Sequence, residues 1–266
     1  MNQKHYLIKG TLLLTVMGLL ARFAGFFYKI FLSRTIGAAQ IGLYQLAVPV
    51  YSFCTALCGG GVQSAISKFV AEYRAREDSR GARRILYAGL FLSVSSSLLI
   101  LAVLYFCAPL VAGTFLHEDS CTVLLKLMAF SLPFQMVSSC ICGYFMGIKK
   151  IVPPALAQIL EQLARIATVL VLYTLSIENE TGSGAALMVF GQIAGEAVSA
   201  AYCAGCICFL SGKDFRKNNF QHSLLFSARR ILTVSAPLGL NRMLLCILQA
   251  IEAALLPLML RRAGMT

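Results

Sequence analysis

The stretch TLLLTVMGLLARFAGFFYKIFL, residues 11–32, decides the fold class because it is long and apolar enough to cross a membrane. A spanning helix needs about 20 mostly apolar residues, since each residue rises about 1.5 Å through a hydrocarbon layer of about 30 Å. The sequence has no small-x-small cleavage site after this stretch, and the apolar pattern continues past Arg22 to Leu32. We therefore predict a retained first membrane helix over about residues 7–32 rather than a signal peptide.

Six more apolar stretches follow the first one. Of the 266 residues, 58% are hydrophobic and only 13% are charged, whereas soluble domains are roughly 45–50% apolar and about 25% charged. This composition predicts an all-α membrane protein with about seven transmembrane helices. The predicted spans are 7–32, 42–66, 85–111, 123–147, 152–177, 185–210 and 231–259.

The basic residues are distributed unevenly between alternate loops. Most of them lie in segments that share one side of the predicted membrane, namely residues 1–9, 68–84, 149–150 and 213–230. Such an excess marks the cytoplasmic side, so we predict a multi-pass cell-membrane protein with a cytoplasmic N-terminus. The net charge of +12 is then explained by topology and by attraction to anionic membrane lipid. We do not expect nucleic-acid binding.

Eight ionisable residues fall inside the predicted spans. Each costs at least about 2.5–3.5 kcal/mol near the membrane centre, so it normally faces a partner or a wet cavity. The eight therefore predict a polar interior between the helices. They are Arg22, Lys29, Lys126, Glu161, Arg165, Glu196, Arg242 and Glu252.

The basic members of this set predict a cavity for an anionic substrate. Arg22 and Lys29 are seven residues apart, which places them within about 20° of each other on one helix face. Arg22 and Arg242 lie deep in their spans, and a guanidinium group binds phosphate with paired hydrogen bonds. We predict that Arg22, Lys29, Arg165 and Arg242 line this cavity, whereas Lys126 is close enough to a helix end to reach the interface.

The acidic members have two interpretations. Glu161 and Arg165 are spaced i to i+4 with the acid first, the favourable order for a pair that simply neutralises both charges. Alternatively, Glu161, Glu196 and Glu252 are candidate carboxylates for coupling transport to a cation. The sequence contains no catalytic motif and no convincing metal-ligand spacing, so we expect no enzyme activity, metal or cofactor.

Two polar segments suggest the domain organisation. Residues 68–84 are predicted to form an amphipathic helix on the cytoplasmic surface. Residues 212–230 follow six predicted helices, which is where a linker between two six-helix lobes would lie. We therefore divide the chain into a six-helix N-terminal lobe (1–211), an inter-lobe linker (212–230) and the first helix of a truncated C-terminal lobe (231–266).

Four stretches resemble a known family. They are ARFAGFFYKIFLSRTIGAAQIGLYQLAVPVY (21–51), GGGVQSAISKFVAEYRARED (59–78), FMGIKKIVPPALAQILEQLARI (145–166) and SAPLGLNRMLLCILQAIEAALLPLMLRRAGMT (235–266). The chain is similar to the polysaccharide biosynthesis membrane proteins, and most of all to the stage V sporulation protein B group. That family belongs to the multidrug/oligosaccharidyl-lipid/polysaccharide (MOP) exporter superfamily, together with the lipid II flippases.

The resemblance implies a MATE-like fold of two helical lobes around a cationic cavity. It implies a flippase that carries undecaprenyl-pyrophosphate-linked oligosaccharide for peptidoglycan, spore-envelope or polysaccharide synthesis, with Arg22 and Arg242 facing the cavity. Because the family has twelve to fourteen helices, we expect this chain to be an N-terminal fragment. Two alternatives stay open: a cation-coupled multidrug exporter, and a non-transporting scaffold that recruits envelope-synthesis enzymes through residues 68–84.

Overall fold

The computed structural model of the protein describes residues 3–116, 118–179, 184–211 and 224–262, and within these ranges it contains nine α-helices and no strand. The predicted all-α fold class is therefore confirmed. The helices are α1 (Gln3–Thr35), α2 (Ala38–Gly59), α3 (Val62–Ala75), α4 (Ser79–Val111), α5 (Cys121–Ala129), α6 (Leu132–Gly147), α7 (Val152–Asn179), α8 (Gly184–Ser211) and α9 (Leu224–Arg262). A short π-helical turn, Ala112–Leu116, continues α4.

The number of membrane spans depends on one bent pair of helices. Six segments are each long and apolar enough to cross a membrane, and α5 and α6 make a seventh if their 41° bend is counted within one span. The bend falls in the predicted span 123–147. Beside it, the Ser131 hydroxyl donates to the Tyr51 hydroxyl of α2 at 2.8 Å. The prediction of about seven spans agrees with the described residues when the bent pair counts as one.

The predicted second span, 42–66, is divided between α2 and α3 at Gly60 and Gly61. A Cβ atom on Gly61 would lie only 2.5 Å from the backbone oxygen of Ser235 in α9. Glycine is required here because the two backbones approach too closely for a side chain. This glycine pair therefore allows α9 to cross the junction of α2 and α3.

The predicted amphipathic helix over 68–84 is correct for residues 68–75 but wrong as one continuous helix. Residues up to Ala75 belong to α3, and α4 begins at Ser79. Between them, the Asp78 carboxylate accepts hydrogen bonds from the backbone N–H groups of Arg80 (3.1 Å) and Gly81 (2.8 Å). An Asp in this N-cap position satisfies donors that the first helical turn leaves unpaired, so the segment turns back instead of running along the surface.

The helices pack both with chain neighbours and with partners that are distant in sequence. α7 and α8 form a close hairpin, α6 packs on α3, α4 and α8, and α9 packs on α2, α3 and α4. α1 packs against α7 and touches its chain neighbour α2 only sparsely. The bundle therefore has one wall built on α1 and α7 and another built on α2 and α9.

The outer face of the bundle is apolar, as a membrane requires. Large side chains such as Phe27, Phe91 and Phe106 are 66%, 72% and 80% exposed. In water so many exposed aromatic side chains would be costly, whereas lipid tails solvate them. Together with the span lengths, this surface supports a multi-pass membrane protein.

The predicted three-part division of the chain stays a prediction. Residues 224–230 of the predicted linker form the first two turns of α9, and residues 212–223 lie outside the described part of the chain. α9 packs directly on α2, α3 and α4, which belong to the predicted N-terminal lobe.

Candidate functional site

A cavity of about 870 Å³ lies between the two walls of the bundle. It is lined from the α1–α7 wall by Arg22 and Glu161, from α8 by Glu196, and from α9 by Arg242. The helices place these four ionisable residues around one space although they come from separate parts of the chain. We call this space the first cavity.

A second cavity of about 620 Å³ lies between α1, α2 and α7. Its ionisable lining includes Lys29 and Arg165, and it shares Arg22, Glu161 and Gln158 with the first cavity. On α1 the first cavity is lined by residues from 14 to 22 and the second by residues from 18 to 32. The two cavities therefore follow one another along α1 and meet at Arg22.

Glu161 and Arg165 form an ion pair at this junction. One guanidinium nitrogen of Arg165 lies 2.7 Å from a carboxylate oxygen of Glu161, and the two side chains are 24% and 26% exposed. The predicted i to i+4 pair is thus confirmed. Because the pair neutralises itself, the charge available to a ligand is decided in the first cavity by Arg22, Arg242 and Glu196, and in the second by Arg22 and Lys29.

Arg22 and Arg242 retain their charge for a ligand. Both side chains are exposed to the cavity space, and neither makes an ion pair with any residue that the structure describes. A guanidinium group has five donors and stays protonated at any relevant pH. The first cavity therefore presents two free cations from two different walls.

Glu196 reaches the first cavity because α8 packs unusually close to α7. A Cβ atom on Gly195 would lie 2.8 Å from the backbone oxygen of Glu161. This approach places Glu196, only 4% exposed, beside the Glu161–Arg165 pair. Gly195 is the residue before Glu196 in the sequence. Its role depends on how closely α7 packs against it, which the sequence of α8 does not show.

Polar side chains extend from Glu196 into the helix bundle. One turn before it on α8, Gln192 accepts a hydrogen bond from Tyr44 at 2.9 Å. On the neighbouring helices, Tyr51 donates to Gln135 at 3.2 Å. These pairs join α8 to α2 and α2 to α6. The packing of these helices behind the first cavity therefore includes polar contacts as well as apolar ones.

The sequence-predicted site residues fall into three groups. Arg22, Glu161, Glu196 and Arg242 line the first cavity, while Lys29 and Arg165 line the second. The side chain of Glu252 lies outside the described residues. Lys126 lines neither cavity; its ammonium group lies 5.2 Å from the centre of the Tyr105 ring.

The sequence analysis missed several neutral polar residues of the first cavity. Gln63 from α3 and Gln135, Ser138 and Ser139 from α6 all line it. In the sequence these residues are recognisable only as polar residues within apolar spans. This signal is weaker than that of a charged residue, because a neutral polar side chain costs less free energy in a membrane. These side chains add donors and acceptors of the kind that a hydroxyl-rich ligand requires.

The chain is similar in sequence to known membrane proteins. The sequence profile described as "Polysaccharide biosynthesis protein" matches residues 7–263. Stage V sporulation protein B of Bacillus subtilis (strain 168) is 33% identical over 218 residues, which cover 82% of this chain and 42% of that protein. The Lipid II flippase MurJ of the same organism is 28% identical over 168 residues, covering 60% of this chain and 31% of the flippase.

A solved structure has the same fold. A MOP superfamily transporter from Pyrococcus furiosus superimposes with a TM-score of 0.64 at 17% identity, over 88% of this chain and 52% of that one. The chain spans about half the length of that transporter and less than half of the two Bacillus relatives. From the profile match across nearly its whole length, the chain belongs to the polysaccharide biosynthesis protein family.

Proposed function

We propose that the protein moves an undecaprenyl-pyrophosphate-linked oligosaccharide across the cell membrane, for cell-wall, spore-envelope or polysaccharide synthesis. The observation that carries this proposal is the placement of Arg22 and Arg242, two guanidinium groups without an ion-pair partner among the described residues, around one cavity. The names of the two Bacillus relatives, a sporulation protein and a lipid II flippase, support it.

The chemistry of the first cavity suits such a substrate. A diphosphate is a doubly charged acceptor, and two guanidinium groups supply charge and paired donors for it. Gln63, Gln135 and the serines of α6 would hydrogen-bond sugar hydroxyls. The sparse contact between α1 and α2 offers the polyprenyl tail a lateral path to the lipid.

In this proposal the carboxylates couple transport to an ion. Glu161 and Glu196 lie beside Arg165, so a proton or a sodium ion bound there would change how strongly the cavity attracts an anion. Glu252 stays a candidate for the same role. The membrane potential is the other energy source, because the substrate itself is charged.

The runner-up is a cation-coupled multidrug exporter of the same superfamily. The observation that favours it is Glu196, a carboxylate that is 4% exposed and lines the cavity, since such a group would attract a cationic drug. Drug efflux that requires Na⁺ or H⁺ and is lost in Glu196→Gln, but not in Arg242→Gln, would support it. The third alternative, a scaffold that recruits envelope-synthesis enzymes through residues 68–84, stays a prediction.

The decisive experiment is a flipping assay in vesicles. The protein, as expressed from its own gene, is reconstituted with a fluorescent polyprenyl-diphosphate oligosaccharide, and access of the label to an external quencher is followed. We expect translocation by the wild type and by Lys126→Gln, which removes a cation outside both cavities. We expect its loss in Arg22→Gln and Arg242→Gln. Wild-type translocation by both of these variants would contradict the proposal.

A further inference from the structure

Two residues that line the second cavity have buried hydrogen-bond donors without an acceptor among the described residues. The hydroxyl of Tyr28 and the Nε–H of Arg165 are both shielded from solvent, and neither has a hydrogen-bond partner within the described part of the chain. Both residues line this cavity. A shielded donor without a partner costs free energy. Because the two atoms are also closed off from the cavity space, a ligand could accept from them only after the side chains rotate toward it.

The same cavity has an excess of positive charge. Lys29 lines it and forms no ion pair with any described residue, and Arg22 lines it from the same helix. The one carboxylate of the lining, Glu161, is already paired with Arg165. Two unpaired cations at membrane depth are stabilised only by water or by an anion. Water would hydrate these charges, whereas an anion would neutralise them.

We propose that the second cavity is a second phosphate-binding site, and that Arg22 contacts the phosphate in both cavities. The inference rests on the proposed function, because it supplies the next position for the same diphosphate group. The two cavities lie in series along α1 and α7, with Arg22 where they meet. A headgroup could therefore pass from Arg22 and Arg242 to Arg22 and Lys29 without ever losing a guanidinium partner.

The test is a double-mutant cycle on binding. Farnesyl diphosphate is titrated into the purified protein in nanodiscs of zwitterionic lipid, using wild type, Lys29→Gln, Arg242→Gln and the double variant. With two alternative sites, Arg242→Gln still binds through the second cavity. Adding Lys29→Gln to Arg242→Gln then lowers affinity by about tenfold, several times more than Lys29→Gln does alone.

Two results would overturn the second site. One is a double variant that binds as Arg242→Gln does; the other is additive losses, which would mean that both residues serve a single site. Lys126→Gln, which removes a charge outside both cavities, is the matched control for folding and non-specific attraction. Tyr28→Phe in the Arg242→Gln background removes one hydroxyl and should weaken binding about threefold.

A second arm identifies the source of the phosphate. Repeating the Arg242→Gln titration with phosphatidylglycerol in the nanodiscs asks whether a bulk anionic headgroup competes for the same cavity. Loss of the Lys29-dependent binding assigns the site to lipid headgroups in general, and its persistence assigns it to the diphosphate; either result supports a phosphate site. If the wild type itself binds no farnesyl diphosphate, the proposed function fails, whereas additive losses in a wild type that binds leave it intact.

Discussion

Arg230 and Arg242 lie twelve residues apart on α9 but serve different purposes. Arg230 contacts both carboxylate oxygens of Glu72 at 3.1 Å, and its guanidinium lies 4.7 Å from the centre of the Phe69 ring. Arg242 lines the first cavity and has no ion-pair partner among the described residues. Arg230 links α9 to α3, whereas Arg242 is available to a ligand. Burial and charge alone therefore do not distinguish these two arginines. The absence of an ion-pair partner among the described residues marks Arg242 as the candidate binding residue.

The largest effect should come from Arg242 itself. Arg242→Gln removes a cation that forms no ion pair with any described residue, so we expect translocation to fall by at least about tenfold while thermal stability is kept. Arg242→Lys should restore part of the activity, since it returns the charge without the paired donors. The flipping assay measures activity and a thermal-unfolding scan in detergent measures stability. A large loss of stability in Arg242→Gln would make it a structural residue like Arg230.

A large substitution at Gly61 should disrupt the helix packing that positions Arg230 and Arg242 on α9. A Cβ there would lie 2.5 Å from Ser235 of α9, so Gly61→Leu forces α9 away from α2. Overpacking of this kind costs about 1–3 kcal/mol. The thermal-unfolding midpoint should fall and translocation with it. Gly42→Leu is the control, because a Cβ at Gly42 has no atom within 4 Å; equal effects of the two would contradict the close crossing.

The Glu72–Arg230 pair should contribute to stability but not to binding. The two side chains are 31% and 37% exposed, so solvent screens them and we expect about 0.5–1 kcal/mol for the pair. A double-mutant cycle of Glu72→Gln and Arg230→Gln measures it by thermal unfolding. Farnesyl diphosphate affinity should stay unchanged in both variants. A fall in affinity as large as that of Arg242→Gln would remove the contrast between the two arginines.

The smallest effect on transport should come from the turn between α3 and α4, where a substitution changes only local stability. Asp78→Ala removes an N-cap that accepts from two backbone N–H groups, which costs about 1 kcal/mol or less of helix stability at an exposed site. Asp78→Asn keeps an acceptor and should be nearly neutral. Hydrogen exchange at Arg80 and Gly81 would report the loss locally. Unchanged exchange in Asp78→Ala would contradict the cap.

Much of the site could be predicted from single residues. Arg22 and Arg242 stood out because a charge at membrane depth is costly wherever the neighbouring helices lie. Glu161 and Arg165 could be paired because their spacing places them on one helix face. Lys29 and Arg242 were expected to share a cavity, yet they line different ones. Which cavity a residue lines depends on the distances between packed helices, such as that between α1 and α2. A local sequence pattern does not determine those distances.

Hydrophobicity and charge spacing, read along the chain, determined that this is a helical membrane protein with ionisable residues inside its spans, because both follow from the cost of placing residues in lipid. Only the tertiary structure decided which arginine has a partner. Arg230 pairs with Glu72, which is 158 positions away in the sequence. Glu196 lies beside Glu161 because Gly195 has no side chain to separate α8 from α7. Such contacts depend on the backbone separation of packed helices, a property of pairs of segments and not of either segment alone.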